Sequence, residues 1–200
     1  MDKRVPKDRV REQAEPYSAP EDGYPGPDDE FLGMEEERYE IVEGVRYEMH
    51  PAPSVPHQRI SGAIYLMLSQ TCHPNGIILY APVDVYLDKD NLFEPDLVFV
   101  LHENASIIKE KRIEGAPDLV VEILSPTSGH RDKIRKKRQY ERHGVKEYWI
   151  VDPVHRTVDQ FVLEQGAYRL HETYGTDGEL TSPLFSCVRI DMSRLFPQPL

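Results

Sequence analysis

Two hundred residues suffice for one ordinary domain with a real core and are too few for two comfortable ones. At 39% hydrophobic and 30% charged, the balance is that of a soluble globular chain, and its apolar runs fall far short of the ~20 residues of a membrane helix. A net charge of −11 argues against a general nucleic-acid coat, but the charge is unevenly spread. Residues 1–38 hold twelve acids and six bases, whereas residues 131–146 hold eight Lys/Arg against Asp132 and Glu141. One basic surface is therefore expected on an acidic body. The start of the chain lacks the apolar stretch of a secretory signal, so a reducing cytoplasm is the expected compartment. Cys72 and Cys187 are too few for a disulfide framework or a zinc site of two Cys pairs, and are expected as buried free thiols.

Residues 1–38 are punctuated by Pro6, Pro16, Pro20, Pro25 and Pro27, and they lack apolar periodicity. They are expected as an acidic tail, disordered or loosely docked, ahead of a single domain over 39–200. Residues 39–42 and 46–49 form short strand-like runs around Glu43-Gly44, a hairpin pattern. After a Pro-rich loop, residues 57–70 carry Ile60, Ala63, Ile64, Met67 and Leu68 on one helical stripe. Asn75-Gly76 is a turn, and residues 77–80, 83–87 and 96–101 have strand patterns. Residues 118–124 form an apolar run broken by acids, as in a central buried strand. Residues 132–143 form a basic helix ended by Gly144. A core strand over 148–151 follows, then a hairpin of 157–163 and 167–173 around Gln165-Gly166. Strands alternating with two helices, then an antiparallel extension, predict an α/β or α+β layer fold with a mixed sheet flanked by helices.

The carboxylates carry the chemistry. In Pro117-Asp-Leu-Val-Val-Glu-Ile-Leu-Ser125, alternation puts Asp118, Val120, Glu122 and Leu124 on one face, with Leu119, Val121 and Ile123 on the other. An unpaired carboxylate at Glu122 would cost several kcal/mol inside such a strand. A cation, a base or a metal ion must compensate it. Asp96 stands at the mouth of a second apolar strand. Two strands that deliver carboxylates to the same end of a sheet form a hard-cation site suited to Mg²⁺. Asp118 reads better as the punctuation of a strand start. On the basic helix Asp132, Lys136 and Tyr140 share a face, and Lys133, Lys137 and Tyr140 share an overlapping one. The short loop after Glu122 brings the start of this helix near the strand end, where a lysine can reach a scissile phosphate.

Taken together these residues resemble the Uma family of bacterial restriction-endonuclease-like proteins, within the PD-(D/E)XK nuclease superfamily. The resemblance runs from about Tyr39 to Leu163. It is carried by Tyr39-Glu-Ile-Val-Glu-Gly44, His57, Glu94-Pro-Asp96, Pro117-Asp-Leu-Val-Val-Glu-Ile-Leu-Ser-Pro126, the Asp132/Lys136/Tyr140 helix and Gly144-Val-Lys-Glu-Tyr-Trp-Ile-Val-Asp-Pro153. It implies a restriction-endonuclease-like core with antiparallel hairpin extensions. Asp96 then supplies the acid of the PD pair and Glu122 that of the (D/E)XK half, holding Mg²⁺ or Mn²⁺ with the Ile123 carbonyl as a further ligand. The lysine of the motif would fall at position 124, which is Leu124, and Lys136 is its match on the following helix. His57 matches a family histidine near the site.

The implied activity is metal-dependent hydrolysis of DNA phosphodiester bonds, with Asp96, Glu122, Lys136 and His57 catalytic and Lys133, Lys136 and Lys137 on the DNA backbone. The alternative is a nuclease-like binding or regulatory module that is catalytically weak or inactive. A homodimer would suit cleavage of both strands of a duplex. Tyr140 and Trp149 are expected as core aromatics, and Ser125, Thr127 and Ser128 as loop and cap residues.

Overall fold

Strands Tyr39–Val42 (β1) and Val45–Glu48 (β2) pair antiparallel with Val42 opposite Val45, so Glu43-Gly44 alone closes the hairpin. Both turn residues have positive φ, 54° and 74°, which is the primed turn that matches strand twist. Gln165-Gly166 closes the later hairpin the same way, with φ of 51° and 81°. These contacts come from a computed structural model, which describes residues 38–48, 53–125 and 130–196, of which 130–133 in backbone only. The expected tail, apart from Arg38, and the loop residues Thr127 and Ser128 lie outside the described residues, as does Met49 at the end of the second predicted strand.

Helix Val55–Cys72 (α1) starts two residues earlier than its apolar stripe predicts. Ser54 caps it by accepting from the His57 backbone N–H, and Pro56 occupies its first turn, where no N–H is missed. Gly76–Tyr80 (β3), Val85–Asp88 (β4), Asn91–Phe93 (β5) and Leu97–Leu101 (β6) follow. A 3-10 turn at His102–Ile107, the two-residue strand Ile113–Glu114 (β7) and Leu119–Ile123 (β8) come next. His130–His143 (α2) ends at Gly144, whose φ of 85° makes it the expected terminating glycine. Glu147–Asp152 (β9), Thr157–Glu164 (β10), Ala167–Tyr174 (β11), Glu179–Thr181 (β12), Arg189–Asp191 (β13) and Met192–Leu195 (α3) complete the described chain. The strands β5, β7, β12 and β13 are two or three residues long, too short to show a period of two.

The main sheet has six strands in the order β11-β10-β9-β8-β6-β3. It is mixed: β8 and β9 run parallel, and the other neighbours run antiparallel. A second sheet has the order β2-β1-β5-β4-β7. The alternation predicted for β8 holds. Leu119, Val121 and Ile123 pack with Ile60, Ile64 and Leu68 of α1 in one apolar cluster, which Leu180, Ile190 and Met192 complete. Val120 faces the other way, into a cluster with Val42, Phe93, Tyr140 and Tyr148. The main sheet is thus covered by α1 and the C-terminal elements on one side, and by α2 and the second sheet on the other.

One expectation is overturned. Cys72 and Cys187 are joined as a disulfide, with Cα atoms 5.0 Å apart, rather than standing as free thiols. The end of α1 packs beside the C-terminal elements across 115 residues of sequence, a proximity that a count of two cysteines does not reveal.

Candidate metal-dependent nuclease site

Strand register builds the site. Leu97 lies opposite Val121, so the next step along this antiparallel pair sets Asp96 beside Glu122. Asp96 Oδ2 accepts from the Ile123 backbone N–H at 2.6 Å, which fixes the carboxylate against the end of β8. Its Oδ1 lies 2.7 Å from His57 Nε2, and a carboxylate oxygen accepts, so the imidazole hydrogen is on Nε2. His57 therefore faces Asp96. It sits in the first turn of α1, 7% exposed, and its Nδ1 has no hydrogen-bond partner among the described residues.

Lys136 comes in from α2. Its Nζ donates to Glu122 Oε1 at 3.2 Å and to Glu40 Oε1 at 2.6 Å. Tyr140, one turn further along α2, donates its hydroxyl to Glu122 Oε1 at 2.9 Å. Tyr140 is the buried core aromatic expected, and it also touches the site; Trp149 is core only, with its indole N–H on Glu147. The helix is held in place by its own polar contacts. Gln139 donates to Glu43 in the β1–β2 turn, His143 Nε2 meets Asp88 of β4 at 2.8 Å, and Glu141 accepts from the Tyr168 N–H.

The electrostatics follow from three acids around one base. Burial pushes the Glu122 carboxyl up from 4.5 to about 7; Lys136 opposes that rise, while Glu40 and Asp96 add to it. Burial alone would lower Lys136, but Glu122 and Glu40 outweigh it and hold its ammonium above the usual lysine range. Burial, with Glu122 and Glu40 nearby, raises the Tyr140 phenol well above its ordinary value, so it stays a donor. The sign of the linkage is clear. An acid whose folded pKa is raised loses stabilisation as pH climbs from its unfolded value of 4.5 to about 7. Across that window, the stability of the parent relative to Glu122→Gln should fall by about 3 kcal/mol, read from denaturant melts at several pH values. A pH-independent difference would remove the raised carboxyl.

Asp118 takes no part. It lies at the opposite end of β8, where it accepts from the Leu101 N–H and Asn104 and pairs with Lys146 at 2.8 Å. The reading of Asp118 as a structural strand start therefore stands. Glu94, beside Pro95, pairs with Arg38 instead of joining Asp96. The basic face is not uniform either: Lys137 lies 3.5 Å over the Phe161 ring with Glu141 and Asp159 as its acidic neighbours, and the Lys133 side chain is outside the described residues. Glu40 was missed by the sequence reading, although it stands inside a motif that reading used.

Among the described residues no three His, Cys, Asp or Glu side chains form a ready metal shell. Two carboxylates with waters are nevertheless the donor set Mg²⁺ prefers. Each oxygen of Asp96 accepts one bond and keeps a lone pair, and both described bonds of Glu122 fall on Oε1. The residues fit a hard divalent cation.

The profile of the Uma2 family, described as "Putative restriction endonuclease", matches residues 28–193 of the chain. The chain belongs to the Uma2 family. The match extends beyond the 39–163 span over which individual motifs are legible. A solved structure described as "a putative nuclease belonging to DUF820", from Anabaena variabilis ATCC 29413, is similar to this Uma2 chain with a TM-score of 0.66. The two are 20% identical, and the match covers 79% of this chain and 89% of that one. At that identity the likeness is one of fold, and it agrees with the mixed sheet flanked by helices. No curated protein sequence matches the chain. No helix among the described residues of this Uma2 protein is long and apolar enough to cross a membrane.

Proposed function

We propose that this chain is a divalent-metal-dependent endonuclease that hydrolyses DNA phosphodiester bonds. The observation that carries the reading is the arrival of Lys136 at Glu122 from α2, where position 124 of the strand offers only a leucine. Asp96 and Glu122 would hold Mg²⁺ or Mn²⁺, with the Ile123 carbonyl as a further ligand. Such an ion, when bound, supplies an activated water and offsets phosphate charge. His57 orients Asp96 through its Nε2–H. Lys136 acts as a fixed positive charge beside the scissile phosphate rather than as a base, because its carboxylate neighbours hold it protonated. Lys133 and Lys137 belong with the DNA backbone contacts of the basic helix, and a homodimer would present two sites to a duplex.

The second reading is a nuclease-like binding module without catalysis. It is favoured by the Lys136 ammonium being already ion-paired to both Glu40 and Glu122. Nicking of supercoiled plasmid in Mg²⁺ or Mn²⁺ separates the two. The parent is expected to cleave, and Asp96→Asn to lose cleavage while keeping its fold. A parent that binds Mn²⁺ and DNA but cuts neither plasmid nor linear duplex would establish the module.

A further inference from the structure

Glu40 is unexplained by a site built from two metal ligands and a lysine. It comes from β1, 96 residues before Lys136, and is 8% exposed. Its Oε1 accepts from the Lys136 ammonium at 2.6 Å and also from the Glu94 backbone N–H at 3.0 Å. The second bond ties it to the turn that leads into Asp96. Lys136 stands farther from Glu122, at 3.2 Å, although Glu122 is the acid its family role concerns. Glu40, Asp96 and Glu122 bring three acids close to the Lys136 ammonium. A cation that takes Glu122 must compete with Lys136 for it, and a lysine without another partner would either block the metal or leave the site.

We propose that Glu40 is a positioning residue, a second seat that holds Lys136 in the site while a divalent cation takes over Glu122. The inference rests on the metal-binding reading above and adds a role for a residue outside the metal ligands. Glu40 acts through Lys136 and touches neither metal nor DNA. The ammonium exchanges two carboxylate partners for one, and remains beside the phosphate as a charge. Without Glu40 the lysine has Glu122 alone and becomes a competitor of the metal.

Mn²⁺ titrations, followed by the loss of the free-ion electron paramagnetic resonance signal, test this in four proteins: parent, Glu40→Gln, Lys136→Met and the double variant. Glu40→Gln keeps an acceptor for the Glu94 N–H, and melting curves check the fold of each variant. Glu40→Gln should weaken Mn²⁺ about tenfold, and Lys136→Met should tighten it. In the Lys136→Met background the Glu40 substitution should change Mn²⁺ affinity by less than about threefold, because the lysine it positions is gone. An equal loss in both backgrounds would make Glu40 a ligand or a remote charge and overturn the proposal. If Glu40→Gln fails to fold, Lys136→Met still decides, since weaker Mn²⁺ binding there excludes competition between lysine and metal. A parent that binds no Mn²⁺ would overturn the metal-dependent reading itself, whereas a parent that binds it with Glu40→Gln unchanged would overturn this inference alone.

Discussion

Replacing Lys136 by methionine should leave the fold in place, tighten Mn²⁺ binding and lower DNA cleavage at saturating substrate by about 100- to 1,000-fold. That is the usual cost of removing one preorganised charge aimed at a transition state in a site shielded from water. The methionine keeps the length of the stem that packs between Glu40 and Glu122, so the loss is electrostatic rather than a cavity. Lys137→Ala provides the contrast. Its ammonium lies on the Phe161 ring with Glu141 and Asp159 as its acidic neighbours, so its loss should weaken DNA binding and its salt dependence with little change in the saturated rate. Leu124→Lys in the Lys136→Met background asks whether a charge from the strand can replace one from the helix, because alternation along β8 puts position 124 on the face of Glu122. Equal, small losses in Lys136→Met and Lys137→Ala would reduce α2 to a generic basic surface.

The second large effect concerns the Cys72–Cys187 link. It closes a loop of 115 residues, and the chain-entropy account gives about 5 kcal/mol for a loop that long. Reduction, or the Cys72→Ala/Cys187→Ser pair, should therefore shift guanidinium unfolding to markedly lower concentration without abolishing the fold. A reducing cytoplasm disfavours such a bond. Protein purified without reductant should show no free thiol until denatured and reduced. Two titratable thiols in the denatured, unreduced chain, with an unchanged midpoint in dithiothreitol, would restore the reading of two buried thiols.

How much of this was legible beforehand depended on the range of the signal. Glu122 stood out because it interrupts an apolar strand, a local violation that alternation exposes, and Asp96 because it stands at the mouth of a second one. Lys136 could be reached because helical spacing and a short loop bound its distance from Glu122. The hairpins at Glu43-Gly44 and Gln165-Gly166 were readable from two residues each. Glu40 was not, because its role exists only in a contact with a residue 96 positions away, and an acid in a four-residue hairpin strand looks solvent-facing. His57 was reached only through the family resemblance, because a histidine in the first turn of a helix, here capped by Ser54, carries no local signal of a site. The disulfide and the short strands β5, β12 and β13 share the same cause: proximity made by tertiary folding, with no period to announce it.

The parallel pairing of β8 with β9 has a consequence for how the protein comes into being. β8 carries Glu122, but its neighbour on one side is made only after α2 has crossed over the sheet. The carboxylates, the lysine and the tyrosine come from β1, the start of β6, β8 and α2, so no contiguous stretch of chain contains a working fragment. Contacts of such long separation form late and together, since each loop closure must be met before the next contact repays it. A ribosome that has released the chain only as far as β8 holds every carboxylate of the site and none of its cations from α2. A partial chain thus lacks Lys136 and Tyr140, and the site is completed in the same cooperative step as the sheet.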